Sequence, residues 1–226
     1  SGGAGSDTYY MGAGDTAVEL AGVGDDTVVV PGGAVATYSL LAFPNIENLK
    51  LDNAVGASNL TGSDLDNRLE GNDYNNIILG GAGNDTLLGG DGADWLEGGE
   101  GDDVLLGGED PLGWGDVAAN DTYVFGRGFG HDTIYDNDND AFYTAIDTLR
   151  FSDTLSPILP GDVTLVRDQN DLVVILNGTT DQVRVQNHFL ASRYSIEQIV
   201  FTANNTVWGQ TEINARLAAG QIATEG

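Results

Sequence analysis

The chain has 226 residues, of which 35 are Asp or Glu and 8 are Lys or Arg, and its formal net charge at pH 7 is -27. So negative a chain excludes nucleic acid and anionic membrane surfaces as partners, because both would repel it. It contains no cysteine, which excludes disulfide bonds, and no apolar run long enough to span a membrane. Its 33 glycines and its charge would favour disorder, but hydrophobic residues make up 41% and recur periodically. We therefore expect a chain that folds once cations neutralise it.

Residues 1–43 are predicted to hold degenerate glycine-rich units. Gly2 to Tyr9 and Ala21 to Val28 each place an aspartate after a glycine turn, at Asp7 and Asp26. The 19 residues that separate these carboxylates are close to two nonapeptides. Because the first unit begins at once and no signal peptide precedes it, we expect the chain to start inside a longer parent protein.

Residues 44–144 form the regular segment, which repeats every nine residues from Pro44 to Leu106. A fixed short period indicates a stacked solenoid rather than a globule. The first two units lack a glycine turn and are predicted to be coils without metal, and residues 111–120 are predicted to be an insertion. Position eight of the seven units is always aliphatic: Leu51, Leu60, Leu69, Ile78, Leu87, Leu96 and Leu105.

Each unit combines a six-residue glycine turn with a three-residue strand whose middle side chain faces inward. Two units complete one coil and coils stack about 4.8 Å apart, which places Asp85 over Asp103 and Asn76 over Asp94. Two carboxylates at that distance repel by roughly 1 kcal/mol in water and by about 3–4 kcal/mol at an effective dielectric of about 20. A cation reverses this repulsion, and ligand oxygens in a flexible glycine turn favour calcium over zinc or magnesium.

Calcium is expected to act as a folding ligand. At ten times its dissociation constant each ion adds about 1.4 kcal/mol, and the paired turns predict roughly five to eight ions. Their sum is comparable with the about 5–15 kcal/mol that stabilises a whole domain. A core of one aliphatic residue per nonapeptide is too thin to replace that contribution.

The units from Gly62 to Leu106 closely resemble those of the repeats-in-toxin family, Gly-Gly-x-Gly-x-Asp-x-hydrophobic-x. Residues 2–30 resemble it loosely, and Asn120 to Asp136 resembles the family's terminal repeats. The resemblance implies an all-β fold, a right-handed parallel β-roll with a C-terminal flank. It further implies calcium ions as cofactors, unfolded export through a type I secretion system, and calcium-driven folding outside the bacterial cell.

The family's pattern also implies the calcium ligands. One turn contributes backbone carbonyls at positions two and four, the turn stacked on it contributes those at positions one and three, and both contribute the position-six carboxylate. Asn67 and Asn76 replace that Asp, so weaker sites are expected there, with Asp64 and Asp73 as compensating carboxylates. The ligands implied are Gly80, Gly81, Ala82, Gly83, Asp85, Gly98, Glu100 and Asp103; on the opposite side Asn76, Gly89, Gly90, Asp91, Gly92 and Asp94; and in the flanking units Gly3, Gly5, Asp7, Ala21, Val23, Asp26 and Asp121.

Residues 145–226 contain less glycine and longer alternating runs, which predict a metal-free, β-rich cap. A short helix is predicted over Thr211 to Ala219, ended by Gly220. Four aromatic residues are expected to cover the open end of the roll: Phe189, Tyr194, Phe201 and Trp208. Predicted strands of the two flanks are Thr27 to Val30, Tyr38 to Leu41, Thr148 to Phe151, Val163 to Arg167, Leu172 to Leu176 and Gln182 to Gln186, with a hairpin of Ile196 to Phe201 and Thr206 to Trp208.

No cluster of acid, base and nucleophile predicts an enzyme. His131 is expected in a solvent-facing turn and His188 at a strand end, so neither predicts catalysis. The expected function is a calcium-binding β-roll module of a secreted bacterial protein, whose partners are calcium and, in transit, the secretion machinery. The alternative is a ligand-binding or adhesive module of an extracellular enzyme or adhesin, with an outward apolar row that includes Trp95.

Overall fold

The computed structural model of the chain describes residues 2–12, 15, 17, 19, 24–31, 36–53, 56–108, 119–137, 145–152 and 154–224, and the side chains of these up to residue 219. The predicted ligands Ala21 and Val23 and most of the predicted insertion, residues 111–118, lie outside them. Within this part of the chain, no helix has the length and apolar character needed to cross a membrane.

Short strands dominate the described residues, and one α-helix, α1, covers Gln210–Thr224. The strands in chain order are β1 (Thr8–Tyr10), β2 (Thr27–Val30), β3 (Thr37–Ser39), β4 (Asn48–Leu51), β5 (Asn59–Thr61), β6 (Arg68–Glu70), β7 (Ile77–Ala82), β8 (Thr86–Leu88), β9 (Trp95–Glu100), β10 (Val104–Leu106), β11 (Thr122–Phe125), β12 (His131–Tyr135), β13 (Thr148–Phe151), β14 (Val163–Asp168), β15 (Asp171–Leu176), β16 (Gln182–Val185), β17 (Gln198–Phe201) and β18 (Thr206–Gly209).

These strands form two sheets, and from β2 to β13 successive strands alternate between them. One sheet has the order β1-β2-β4-β6-β8-β10-β12-β16-β15-β14, and the other has the order β18-β17-β13-β11-β9-β7-β5-β3. Pairing is parallel throughout the roll, whereas β14, β15 and β18 add antiparallel strands at its C-terminal end. The fold is therefore the predicted all-β, parallel β-roll with a β-rich C-terminal cap.

The core is a single column of inward side chains between the two sheets. The residues predicted at position eight lie in it, and from Leu60 to Leu105 each has 0% of its surface exposed. Burial of one such side chain contributes about 1.5–3 kcal/mol. After the regular repeat the column continues with larger residues, because Tyr123 and Ile134 occupy the equivalent inward positions of β11 and β12.

The first unit of the repeat is out of register with its prediction. A strict period places Leu51 beside Leu69, but the structure pairs Leu49 with Leu69, so the coil from β4 to β6 holds two extra residues. Leu51 is still buried because β4 alternates and both leucines face inward. The shift brings Glu47, directly before β4, to position six of its coil.

The predicted bounds of the flank strands equal the observed ones at Thr27–Val30 and Thr148–Phe151. The predicted strands after residue 160 begin and end within two residues of the observed ones. The strand predicted over Tyr38 to Leu41 is wrong at its end, because β3 stops at Ser39. The Ser39 hydroxyl accepts a hydrogen bond of 3.2 Å from the Leu41 N–H and caps a 3-10 turn. Helix α1 also continues past Gly220, where the sequence predicted its end.

The C-terminal cap closes the roll with stacked aromatic rings. Phe151 and Phe201 have ring centroids 5.3 Å apart, and the Trp208 ring lies edge-on to Phe201 at 4.6 Å. Helix α1 packs on β14 and β18 and buries Ile213 and Leu217. Of the four aromatic residues predicted to cover the open end, Phe201 and Trp208 belong to this stack, whereas Phe189 and Tyr194 are only half-buried.

Candidate metal site

The buried carboxylates of position six form a hydrogen-bonded ladder along one edge of the roll, here called the first edge. The Asn67 N–H donates to Asp85 Oδ1 at 2.7 Å, the Asp85 N–H donates to Asp103 Oδ1 at 2.8 Å, and the Asp103 N–H donates to Asp132 Oδ1 at 2.8 Å. Each carboxylate thus holds the backbone of the coil before it. The predicted stacking of Asp85 and Asp103 is confirmed.

The second edge carries the same ladder. The Asn76 N–H donates to Asp94 Oδ1 at 2.7 Å, and the Asp94 N–H donates to Asp121 Oδ1 at 2.8 Å. The Asp121 N–H then donates to Asp147 Oδ1 at 2.8 Å, and the Asp147 N–H donates to Glu197 Oε2 at 2.9 Å. The ladder therefore continues beyond the regular repeat and into the cap.

Glycine at position one is required by the position-six carboxylate. A Cβ at Gly80 would lie 2.3 Å from Asp85 Oδ2. Position two requires glycine for a different reason: Gly99 has φ +116°, and its Cβ would lie 1.9 Å from the Gly81 carbonyl oxygen. Because both positions are glycine, the turns can approach closely enough for backbone carbonyls and carboxylates to converge.

Oδ2 of Asp7 in the N-terminal unit is buried and without a hydrogen-bond partner, and the same holds for Oδ2 of three later first-edge carboxylates, Asp85, Asp103 and Asp132. Loss of hydration and nearby carboxylates raise the pKa values of these three later carboxylates to about 7, about 6 and about 8 respectively, although a backbone N–H partly offsets the shift. Each side chain therefore lies in a place that disfavours its negative charge. A divalent cation would remove both the unmet hydrogen-bonding capacity and the repulsion.

The residues predicted to bind calcium fit that ion by donor chemistry. In the first-edge turns, Gly81 pairs with Gly99 and Ala82 with Glu100, so the turn from Gly80 to Asp85 lies directly against the turn from Gly98 to Asp103. The carboxylates and the backbone carbonyls of these turns offer oxygen atoms, which suits calcium. In a loaded roll, Asp85 and Asp103 would hold the ion together with turn carbonyls.

On the second edge the turn from Gly89 to Asp94 lies against the turn from Gly71 to Asn76. A Cβ at Gly90 would meet the Asn72 carbonyl oxygen at 2.5 Å, and one at Gly92 would meet the Tyr74 carbonyl carbon at 2.8 Å.

The two carboxylates predicted to compensate for Asn67 and Asn76 are not buried like the position-six side chains. Asp64 and Asp73 are exposed in their turns. Asp73 there accepts a hydrogen bond from Asn53 Nδ2 at 2.8 Å.

The N-terminal unit joins the first-edge ladder. After the turn that contains Gly3 and Gly5, the Asp7 N–H donates to Asp26 Oδ1 at 2.8 Å. The Asp26 N–H donates to Glu47 Oε2 at 2.9 Å. Glu47 therefore occupies position six in a unit for which the sequence predicted no acidic residue at that position.

The ligands predicted from the sequence do not include four acidic residues of the ladders: Glu47, Asp132, Asp147 and Glu197. Successive ladder members are 18 residues apart at Asp85 and Asp103 but 29 residues apart at Asp103 and Asp132, so the nine-residue period does not find the later ones. A local signal was present in the sequence. Six strands have an Asp-Thr dipeptide at their start. Five of them begin at the Thr that follows Asp7, Asp26, Asp85, Asp121 or Asp147, and β12 begins one residue before Asp132.

At the C-terminal end of the roll, three buried carboxylates converge. Ligand oxygens of Asp121, Asp136 and Asp147 lie within 4.8 Å of one another. The hydroxyl of Tyr123, which is fully buried, donates to Asp136 Oδ1 at 2.8 Å. Burial and these carboxylates raise the pKa of Tyr123 well above its usual range, so the phenol stays protonated as a donor.

Position five forms a second, exposed ladder that runs in the opposite direction. The Asn84 N–H donates to Asp66 Oδ1 at 2.7 Å, and the Asp102 N–H donates to Asn84 Oδ1 at 2.9 Å. The backbone N–H of His131 then donates to Asp102 Oδ1 at 2.9 Å. Asn and Asp alternate in this ladder, so it does not depend on charge, and the His131 side chain is exposed as predicted.

Comparisons with known proteins agree with this geometry. Residues 61–94 and 80–110 match the model of the RTX calcium-binding nonapeptide repeat, and residues 171–212 match the haemolysin-type calcium binding protein related domain. The chain is 36% identical over 84 residues to the iron-regulated protein FrpA of Neisseria meningitidis serogroup C, an alignment that covers 35% of this chain and 7% of that protein. The match of residues 61–110 is to a calcium-binding repeat, and such repeats bind several calcium ions.

Proposed function

Residues 61–110 belong to the RTX calcium-binding nonapeptide repeat family, and from that premise we propose that this chain is a calcium-dependent folding module of a secreted bacterial protein. The observation that carries the proposal is the buried, unpartnered Oδ2 of Asp85, Asp103 and Asp132 on adjacent coils. Without a cation, burial of three carboxylates within one ladder opposes folding. Calcium binding supplies the missing free energy.

The proposed ligands are the turn residues that the family pattern implied. They include the position-six carboxylates Asp85 and Asp103 on the first edge and Asp94 on the second, with the carbonyls of the paired turns. To these we add Asp132, because it continues the first-edge ladder with an oxygen in the same situation. The cluster that contains Asp121 is proposed to bind a further ion.

The biological consequence is that the chain folds or stays unfolded according to the calcium concentration around it. Extracellular calcium modules bind at about 10⁻⁴–10⁻³ M, so a chain of net charge -27 stays unfolded where calcium is scarce. Unfolded passage through a type I secretion system and folding outside the cell follow from this proposal. We propose residues 1–43 as an N-terminal flank, 44–144 as the main calcium-binding part and 145–226 as the cap, which contributes Asp147 to the cluster that contains Asp121.

The adhesive alternative has less support. Its surface would need an outward aromatic residue free to stack on a ligand. Trp95 is half-buried, and the guanidinium of Arg150 lies over its ring at 5.3 Å. The ring face is therefore already engaged within the protein.

Far-UV circular dichroism and thermal unfolding, each in chelator and in millimolar calcium, test the proposed function. We expect the β signal and a cooperative transition in calcium only. Magnesium at the same concentration is the control, because it keeps its waters and should restore little of the signal. An identical folded spectrum in chelator would contradict the proposal.

A further inference from the structure

Two members of the ladders are amides rather than carboxylates, and both lie in the same coil. Asn67 is at position six on the first edge, and Asn76 is at position six on the second edge. Their side chains are as buried as those of the aspartates that follow them, with 3% and 2% exposed. Any role they have therefore concerns contacts within the roll.

In both amides the side-chain oxygen accepts a hydrogen bond from the protein and the side-chain nitrogen donates one to it. Asn67 Oδ1 accepts from the Ser63 N–H at 2.6 Å, and its Nδ2 donates to the Glu47 carbonyl oxygen at 3.1 Å. Asn76 repeats the arrangement: Oδ1 accepts from the Asn72 N–H at 2.9 Å, and Nδ2 donates to the Ser58 carbonyl oxygen at 2.6 Å. The acceptors Glu47 and Ser58 directly precede β4 and β5, in the coil before.

The amide reverses the polarity of the contact between coils. In the aspartate turns the side chain accepts from the previous coil, as Asp85 does from the Asn67 N–H. In the asparagine turns the side chain donates to the previous coil. The atom that corresponds to the unpartnered Asp85 Oδ2 is Asn67 Oδ1, because both lie against position-one glycine, and Asn67 Oδ1 has a backbone donor.

A neutral amide with both groups paired needs no cation, and its nitrogen cannot ligate one. A carboxylate in its place would direct an oxygen at the carbonyl of Glu47 or Ser58, which is repulsive. We propose that Asn67 and Asn76 are calcium-independent couplers, which fasten the calcium-binding coils to the coil before them without an ion. This inference rests on the proposed function, since it states where the ion array ends.

Asn67 also divides the first-edge column of charges. Its N-terminal side has Asp7, Asp26 and Glu47, and its C-terminal side has Asp85 and the carboxylates that follow it. Because Asn67 is neutral, it lies between two acidic runs that would otherwise form one continuous column. The sequence-based expectation that Asn76 is a calcium ligand is the competing assignment.

The dependence of folding free energy on calcium concentration separates the two assignments. Its slope against the logarithm of free calcium reports the number of ions taken up on folding. Asn76→Ala should lower stability at every calcium concentration and leave the slope unchanged. Asp94→Ala, at the same position one coil further on the same edge, should reduce the slope by about one ion. An equal loss of slope in Asn76→Ala would overturn the inference.

The same comparison of variants can be made on the first edge, with Asn67→Ala and Asp85→Ala.

If the alanine variants do not fold, NMR of the unmodified chain in calcium decides the question. One Nδ2 proton of each coupler should exchange slowly and show a coupling across the hydrogen bond to the carbonyl carbon of Glu47 or Ser58. Free exchange of both protons would overturn the inference. A zero calcium slope in the unmodified chain would instead refute the proposed function, while the NMR result would still test the couplers.

Discussion

The backbone N–H of Asp85 donates a hydrogen bond of 2.8 Å to the carboxylate of Asp103, which lies one coil further along the roll. That bond occupies one oxygen of Asp103 and leaves the other buried and without a hydrogen-bond partner. One side chain thus both aligns two coils and faces the position where a cation would reside. Coil stacking and the proposed metal binding therefore involve the same carboxylate at Asp103.

Asp103→Asn should weaken calcium binding by about 10- to 100-fold, because the number of ligand charges is what tunes such sites. The neighbouring Asp102→Asn is a matched control. Asp102 belongs to the exposed position-five ladder, in which Asn84 already performs the same hydrogen bonding. Isothermal titration calorimetry with calcium measures both variants. Equal losses of affinity would show that position six has no special role.

Gly99→Ala should destabilise the calcium-loaded roll by about 1–3 kcal/mol or more, since it forces an L residue to φ +116° and against the Gly81 carbonyl. The matched variant is Gly126→Ala. A Cβ at Gly126 meets nothing within 4 Å, and a near-neutral effect is expected there. Urea unfolding in saturating calcium gives both values, and a similar cost at the two sites would count against the close approach of the turns.

Acid should partly replace calcium in the metal-free chain. The folded-state pKa values of Asp85, Asp103 and Asp132 are about 7, about 6 and about 8, against a usual value of 3.8. Raised values mean that their contribution to stability is fully present below 3.8 and is lost as the pH rises through 6 to 8. In chelator, circular dichroism should therefore show more folded chain at pH 5 than at pH 8, within the window that these values define.

The control for this acid effect is Asp132→Asn, which should flatten the pH dependence by removing the group with the highest of the three values. Saturating calcium should abolish the effect, because calcium needs the ionised carboxylates and protons compete with it. A chelated chain whose folded fraction stays constant between the two pH values would refute the prediction.

The cap should respond to acid in the opposite sense. His188 is buried and its Nδ1 accepts from the Ile196 N–H at 3.2 Å, which requires an unprotonated Nδ1. Burial, with a smaller effect from the Arg167 charge, lowers the pKa of His188 from 6.5 to about 4. The unfolded chain gains a proton first on acidification, so stability present above pH 6.5 is lost as the pH falls toward 4.

Thermal unfolding in saturating calcium, followed between pH 7 and pH 4.5, measures this effect in the range set by the two values. His188→Gln should reduce the loss of stability on acidification. His131→Gln, at the exposed histidine, should leave the loss as it is in the unmodified chain. If the two variants behave alike, His188 does not carry the acid sensitivity of the cap.

Periodicity predicted the regular middle of the roll well, because a period of nine residues reports both the inward leucines and the stacked turns. Leu60 pairs with Ile78, and Asn76 with Asp94, as the spacing requires. Spacing could not predict Asp132 or Asp147, because inserted residues change the distance along the chain while the backbone hydrogen bonds keep the register in space.

Residue type limits the prediction in a different way. The sequence predicts that Asn at position six is a weaker calcium ligand than Asp, since both side chains offer an oxygen. The structure shows that the amide nitrogen also matters, because Asn76 Nδ2 donates to the Ser58 carbonyl oxygen. Glu47 was missed because a two-residue extension of its coil shifts the register from Leu51 to Leu49.

The hairpin of β14 and β15 lies in the chain between β12 and β16, yet those two strands pair in parallel with Ile134 beside Val185. The chain can therefore leave the regular coil, add an antiparallel hairpin to the end of the same sheet and return in register. The hydrogen-bonded edges, and not the chain length between them, determine how coils combine. Such a scaffold suits the grafting of foreign segments at its turns, where a displayed loop would be presented in calcium and withdrawn into a disordered chain in chelator.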